Sequence, residues 1–205
     1  MRKVLYSGVI ASILLVSCDS TNQADPPKET MEETPSGSSA TAAPTERKPT
    51  KDVVFSVEGQ DETIKMDLME GRESLYSFYV DKERYQFERL ENFDVLTPVE
   101  PLPDSYPEVK MEIRYIHNQS PDEVKEEVKK DLSFTVEEET VTSPVQATSL
   151  HGTSGIEPDS QVFMAYLMDA GEAGTLLITE AYSLEVQEGH GARFFQMLET
   201  LEIQQ

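Results

Sequence analysis

The segment 185–195 carries the residue types best suited to chemistry in this chain. It reads Glu185, Val186, Gln187, Glu188, Gly189, His190, Gly191, Ala192, Arg193, Phe194, Phe195. A histidine between two glycines lets the backbone approach another group closely, because neither neighbour carries a Cβ. Glu185, Glu188 and His190, with Glu180 just upstream, offer oxygen and nitrogen donors to a metal ion, although their spacing matches no standard zinc pattern. The plainer reading is the start of a helix, with Glu188 near its positive end, His190 at the surface or locally bonded, and Arg193 paired with an acid. Glu188, His190 and Arg193 are therefore the candidate binding residues. Glu180, Glu185, Glu188 and His190 form the weaker candidate metal set.

Other polar stretches carry less. His151-Gly152-Thr153-Ser154-Gly155 lacks the lysine and spacing of a phosphate-binding loop, and Ser154 does not stand in a G-x-S-x-G nucleophile elbow. That stretch reads as a turn. His117, between a strand and a helix cap, reads as a surface residue. Asp131 and the run Glu137-Glu138-Glu139 read as a solvated acidic face, with no EF-hand pattern. With three histidines in the chain and no recognisable nucleophile pair, the sequence points to a non-catalytic domain with no cofactor.

The only cysteine, Cys18, closes the run Leu15-Val16-Ser17-Cys18. Arg2 and Lys3 precede 13 largely apolar residues, 4–16. That stretch is too short for the roughly 30 Å hydrocarbon core, which needs about 20 residues, but it has the length of a signal-peptide core. The arrangement resembles the lipobox of bacterial lipoproteins. The resemblance implies cleavage before Cys18, a diacylglyceryl group and palmitate on that residue, and a lipid-anchored protein on the extracytoplasmic side of the cell membrane. Two acyl chains hold far more firmly than one. Without a second cysteine there is no intramolecular disulfide, so the fold must rest on packing.

Residues 19–52 are rich in Ser, Thr, Pro, Ala, Glu and Lys, with Met31 the only large apolar side chain. Such composition buries too little apolar surface to offset its conformational entropy. The sequence therefore divides into a signal peptide over 1–17, a lipid-attached disordered linker over 18–52, and one domain over 53–205. As a flexible coil the linker would reach roughly 30 Å from the lipid surface.

The domain carries 11 Lys and Arg against 32 Asp and Glu, within a chain of net charge −22. Nucleic acid is excluded as a partner because its phosphates need cationic contacts. The membrane is met through the lipid on Cys18, and an envelope protein is the candidate partner. Acidity also keeps a domain soluble in an alkaline or salty medium.

Alternation supplies the elements that must position these residues. Val53, Phe55 and Val57, then Ile64, Met66 and Leu68, read as a hairpin turning at 58–61. Strands follow at 76–80, 85–90 and 93–96, then a loop at 98–107 with four prolines, then a strand at 109–115. Ser120-Pro121-Asp122-Glu123 is a capping box with proline at the first helical position, and the helix should reach about Leu132. Strands are expected at 134–141, 145–150, 162–168 and 176–184, the last two central, and a helix over 191–200. The order predicts an α+β fold, a mainly antiparallel sheet with helices packed on it. It resembles the Mog1/PsbP-like domain, through the strand at 109–115, the Ser120-Pro121-Asp122-Glu123-Val124 helix start, the hairpin at 162–184 and the terminal helix. That resemblance implies a non-catalytic binding or assembly role.

Overall fold

A computed structural model describes the chain at residues 47–57, 60–100, 102–103, 106–171 and 174–204. The signal peptide expected over 1–17, the lipid attachment at Cys18 and the linker as far as residue 46 lie outside these residues. The fold takes hold earlier than the composition suggested. β1 (Thr50–Val57) pairs antiparallel with β2 (Gln60–Glu70), from Thr50 opposite Asp67 to Val57 opposite Gln60. Residues 47–52 contain no apolar side chain, so hydropathy could not reveal that they are held by hydrogen bonds instead.

Arg47 is the fastening. Its Nη1 donates to the Ser77 carbonyl and hydroxyl, each at 2.8 Å, and its Nη2 donates to the Thr200 carbonyl at 2.7 Å. The guanidinium lies 4.6 Å from the Tyr79 ring centroid, and Nε is 3.6 Å from Glu202. A planar fork of donors suits this triple contact, and a lysine ammonium does not.

Next come β3 (Tyr76–Val80), with all five residues buried, and β4 (Tyr85–Arg89). Asp81 shapes the turn between them. It is 1% exposed, its carbonyl accepts from Tyr85 N–H at 2.9 Å, and its carboxylate accepts from Arg84 at 3.0 Å. Then follow β5 (Asp94–Pro98) and β6 (Lys110–His117). α1 (Pro121–Asp131) has the expected capping box: Ser120 Oγ accepts from Glu123 N–H while the Glu123 carboxylate accepts from Ser120 N–H at 2.8 Å. β7 (Glu137–Val141), β8 (Ala147–Thr153), β9 (Gln161–Asp169) and β10 (Gly174–Ser183) complete the strand run. α2 (Ala192–Leu198) and the short β11 (Glu202–Ile203) close the described chain.

The strands form two sheets with antiparallel pairing throughout. One runs β1-β2-β3-β11 and the other β4-β5-β6-β10-β9-β8-β7. β10 stands at the middle of the larger sheet with β9 beside it. The α+β, mainly antiparallel expectation holds, but the cover differs from the helices expected. Phe55, Ile64, Met66 and Phe78 of the smaller sheet share one apolar cluster with Leu96, Met111, Ile113 and Ile178 of the larger. A second sheet, not a helical layer, buries the main face. The helices are too short for that task. α1 places Val124 on Leu150, Ala165, Leu167 and Leu177, on the opposite face of the larger sheet by strand alternation. α2 adds Phe194, Met197 and Leu198 to the cluster between the sheets. β7 lies at an edge with Glu137, Glu138 and Glu139 exposed, and like charges there discourage pairing with another chain.

Replacing Arg47 with alanine removes three hydrogen bonds and leaves the Ser77 and Thr200 groups short of a donor. Urea unfolding should show a loss of about 2–4 kcal/mol, and Arg47→Lys should recover only part of it. An Arg47→Ala protein as stable as the parent would show that the fold does not depend on this fastening.

Candidate functional site

The chain leaves β10 through a 3-10 turn (Leu184–Val186) and one π turn (Gln187–Gly191) before entering α2. The helix expected from Gly191 is thus preceded by a wider turn holding Glu188, Gly189 and His190. Gly191 is required by space. A Cβ there would stand 2.9 Å from the Tyr182 hydroxyl, so the backbone can pass this close only without a side chain.

His190 is turned inward. Its Nδ1 lies 2.8 Å from the hydroxyl of Tyr85, 105 residues away in sequence, and the two rings meet edge to face at 5.7 Å. Burial pushes the Tyr85 phenol well above its ordinary value, so it keeps its proton. Burial, reinforced by the Arg193 charge, holds the His190 imidazole below its ordinary value, so it stays neutral at pH 7. The arrangement that satisfies the buried phenol has its O–H donating to Nδ1, with the ring proton on Nε2. The pair is a fixed hydrogen-bonding unit.

Arg193 stands one turn along. Its guanidinium carbon lies 5.4 Å from the Phe55 ring centroid, and its Nη2 is 3.9 Å from Glu62, beyond hydrogen-bond reach. Its Nη1 is buried with no hydrogen-bond partner among the described residues. Glu62 instead accepts from Arg84 at 3.1 Å. Arg84, Tyr85, Val99, Glu100, His190 and Arg193 line a recess of about 410 Å³. Of the candidate binding residues named from sequence, His190 and Arg193 line this recess and Glu188 does not. Tyr85 and Arg84 were not legible in the sequence, because they open an ordinary strand after a charged turn and no local pattern links them to a residue 105 positions on.

The remaining candidates separate. Glu188 is exposed, and Glu185 is exposed with its backbone N–H bonded to the Pro158 carbonyl. Glu180 is 2% exposed and alternates with Ile178 and Tyr182 toward the core between the sheets. Among the described residues no three His, Cys, Asp or Glu side chains stand together as a metal site, so Glu180, Glu185, Glu188 and His190 do not form the set considered from sequence. His117 is exposed against the Tyr115 ring. His151, Gly152 and Thr153 are not a turn but the end of β8. A Cβ on Gly152 would stand 2.7 Å from the Thr135 carbonyl oxygen, so this glycine serves close packing.

Glu180 is a buried acid without a counter-charge among the described residues. Its Oε1 has no hydrogen-bond partner among the described residues, and desolvation raises its pKa to about 8. The carboxyl is protonated in the folded protein across the acid and neutral range, whereas in the unfolded chain it ionises near 4.5. Its contribution to stability is therefore complete below about pH 4.5 and is lost as pH rises to about 8. Replacing Glu180 with glutamine should remove this dependence. The variant should gain on the parent by up to a few kcal/mol between pH 5 and pH 9, read by urea unfolding across that range. Parallel stability profiles for the two proteins would show that Glu180 is not held neutral.

No protein-family model matches the chain, and neither a curated protein nor a solved structure matches it.

Proposed function

We propose that this chain is a lipid-anchored, extracytoplasmic binding protein. In this reading the recess of Tyr85, His190 and Arg193 receives a carboxylate of an envelope partner without performing chemistry on it. The observation that carries the reading is the state of Arg193. A guanidinium partly withdrawn from water, with Nη1 buried and no hydrogen-bonded acceptor among the described residues, is costly, and an incoming carboxylate relieves that cost with a charge-assisted bond. The Tyr85–His190 unit beside it supports binding over catalysis. The phenol holds its proton too tightly to be a nucleophile, and the imidazole is already engaged through Nδ1. The lipobox-like run ending at Cys18 supports the anchor. The Mog1/PsbP-like order of elements supports a non-catalytic role.

Two measurements test the two halves. Cells fed an alkyne-bearing palmitate analogue should label the parent protein and not Cys18→Ala. Label retained by Cys18→Ala would remove the anchor from the proposal. Crosslinking on intact cells should capture a partner with the parent and lose it by about tenfold or more in Arg193→Gln, the loss expected when one charged hydrogen bond at an interface is broken. Equal capture by both proteins would remove the recess.

A further inference from the structure

A second concavity lies against the recess and shares Pro98 and Val99 with it. It is a groove of about 770 Å³ between the outer face of β4, β5 and β6 and the proline-rich segment that joins β5 to β6. We propose that this groove binds an extended peptide segment in which basic residues alternate with apolar ones.

The floor carries the argument. In the sheet register Glu88 lies opposite Val95, and Val95 lies opposite Glu112. One row across three strands therefore reads carboxylate, valine, carboxylate, on the face turned away from Leu96 and Met111 of the core. Leu90 and Val99, also on the groove, are 40% and 50% exposed, an unusual loss of apolar burial in a domain with so many charged residues. Prolines 98, 103 and 107 line the wall with fixed backbone angles.

Charge selects the occupant. Glu88, Glu108 and Glu112 face the groove against a single ammonium, Lys110. Lys110 is divided between Glu108 at 3.1 Å and Glu112 at 2.9 Å, and Glu112 also accepts from Arg114 at 2.9 Å, which leaves Glu88 as the groove's free carboxylate among the described residues. Glu88 is exposed and pairs with no cation among the described residues. With a chain charge of −22 the long-range field also favours cations. The exposed walls leave too little enclosure for a small molecule, which a typical site buries by about 70–90%. An extended peptide suits an open groove, since its side chains alternate and those two residues apart recur on one side at about 6.6–6.8 Å. Apolar side chains would cover Val95, Leu90 and Val99 while basic ones reach Glu88 and Glu108.

The test uses the full chain in mild non-ionic detergent and three fluorescein-labelled, C-terminally amidated octapeptides. They alternate lysine with leucine, lysine with serine, and glutamate with leucine. Fluorescence anisotropy should show saturable binding of the lysine–leucine peptide, with the other two weaker by about tenfold or more. Glu88→Gln with Glu108→Gln, and separately Leu90→Ser with Val99→Ser, should each weaken that binding by about fivefold or more while thermal unfolding shows the variants folded. Arg193→Gln should leave it unchanged, because amidation removes the terminal carboxylate, and this separates the groove from the recess. The proposal fails if the lysine–leucine peptide does not bind, if the lysine–serine peptide binds as tightly, or if both pairs of substitutions leave binding intact.

Discussion

The packing of α2 between the two sheets is the contact on which the rest of the molecule depends. Phe194, Met197 and Leu198 are each fully buried. The Phe194 ring lies 5.3 Å from Tyr85 at the start of the larger sheet and 6.4 Å from Tyr182 on its central strand. Burying aromatic and aliphatic side chains of this size contributes roughly 1.5–3 kcal/mol each, and a chain with one cysteine has no disulfide to share the task. The same contact fixes the site. With Phe194 seated, the preceding turn must place His190 over Tyr85, and Arg193 must lie against Phe55 of the other sheet. The exit from α2 then carries Thr200 to β3, where its carbonyl accepts from Arg47 and its Oγ1 accepts from Tyr79 N–H. Both ends of the described domain therefore converge on β3.

Local signals were legible in the sequence, and distant ones were not. The capping box at Ser120, the alternation in β3 and β6 and the apolar runs of β9 and β10 are written within a few residues of where they act, so their elements follow from local sequence. What covers the sheet is not local. β1 and β2 read as an isolated hairpin, and nothing in their spacing says that they build a second sheet with β3 and β11. β7 shows the limit of periodicity. Its residues are four exposed ones followed by a half-buried valine, so the apolar Phe134 and Val136 drew the expected strand three residues too early. The site divides along the same line. His190 and Arg193 stood out because glycines flank one and the other follows by a helical step. Tyr85 completes them only because β4 folds beside α2, a pairing no window of sequence contains.

Charge is distributed by use rather than evenly. Three of the half-buried cations serve a named contact. Arg47 ties the entry of the chain, Arg84 holds Asp81 and Glu62 together, and Lys125 bridges Asp122 and Glu138 at 2.8 and 2.9 Å. The acids outnumber them, so that Glu137 and Glu139 on β7 and Glu88 on the groove pair with no cation among the described residues. Repulsion among exposed acids weakens a compact state, and it falls off with added salt over a Debye length of about 8 Å at physiological ionic strength. A domain of this kind must place its stabilisation in the apolar cluster and keep charge at the periphery.

Asp81, Asp94 and Glu180 depart from that rule, and the surroundings of Glu180 explain how the core tolerates it. It sits among Tyr85, Tyr166 and Tyr182, whose phenols are all pushed upward by burial and remain neutral. Desolvation acts on all four groups in the same direction, toward the protonated form. Around Glu180 the interior thus holds polar atoms that stay neutral, and the sheets can close over them. Arg84 is bonded to acids of its own and Arg193 lies against Phe55, so burial alone sets the state of Glu180. A neutral core beside an unsatisfied guanidinium follows from one constraint. β10 must present every second residue to the inter-sheet space, and burying Phe194 there brings the neighbouring Arg193 against Phe55.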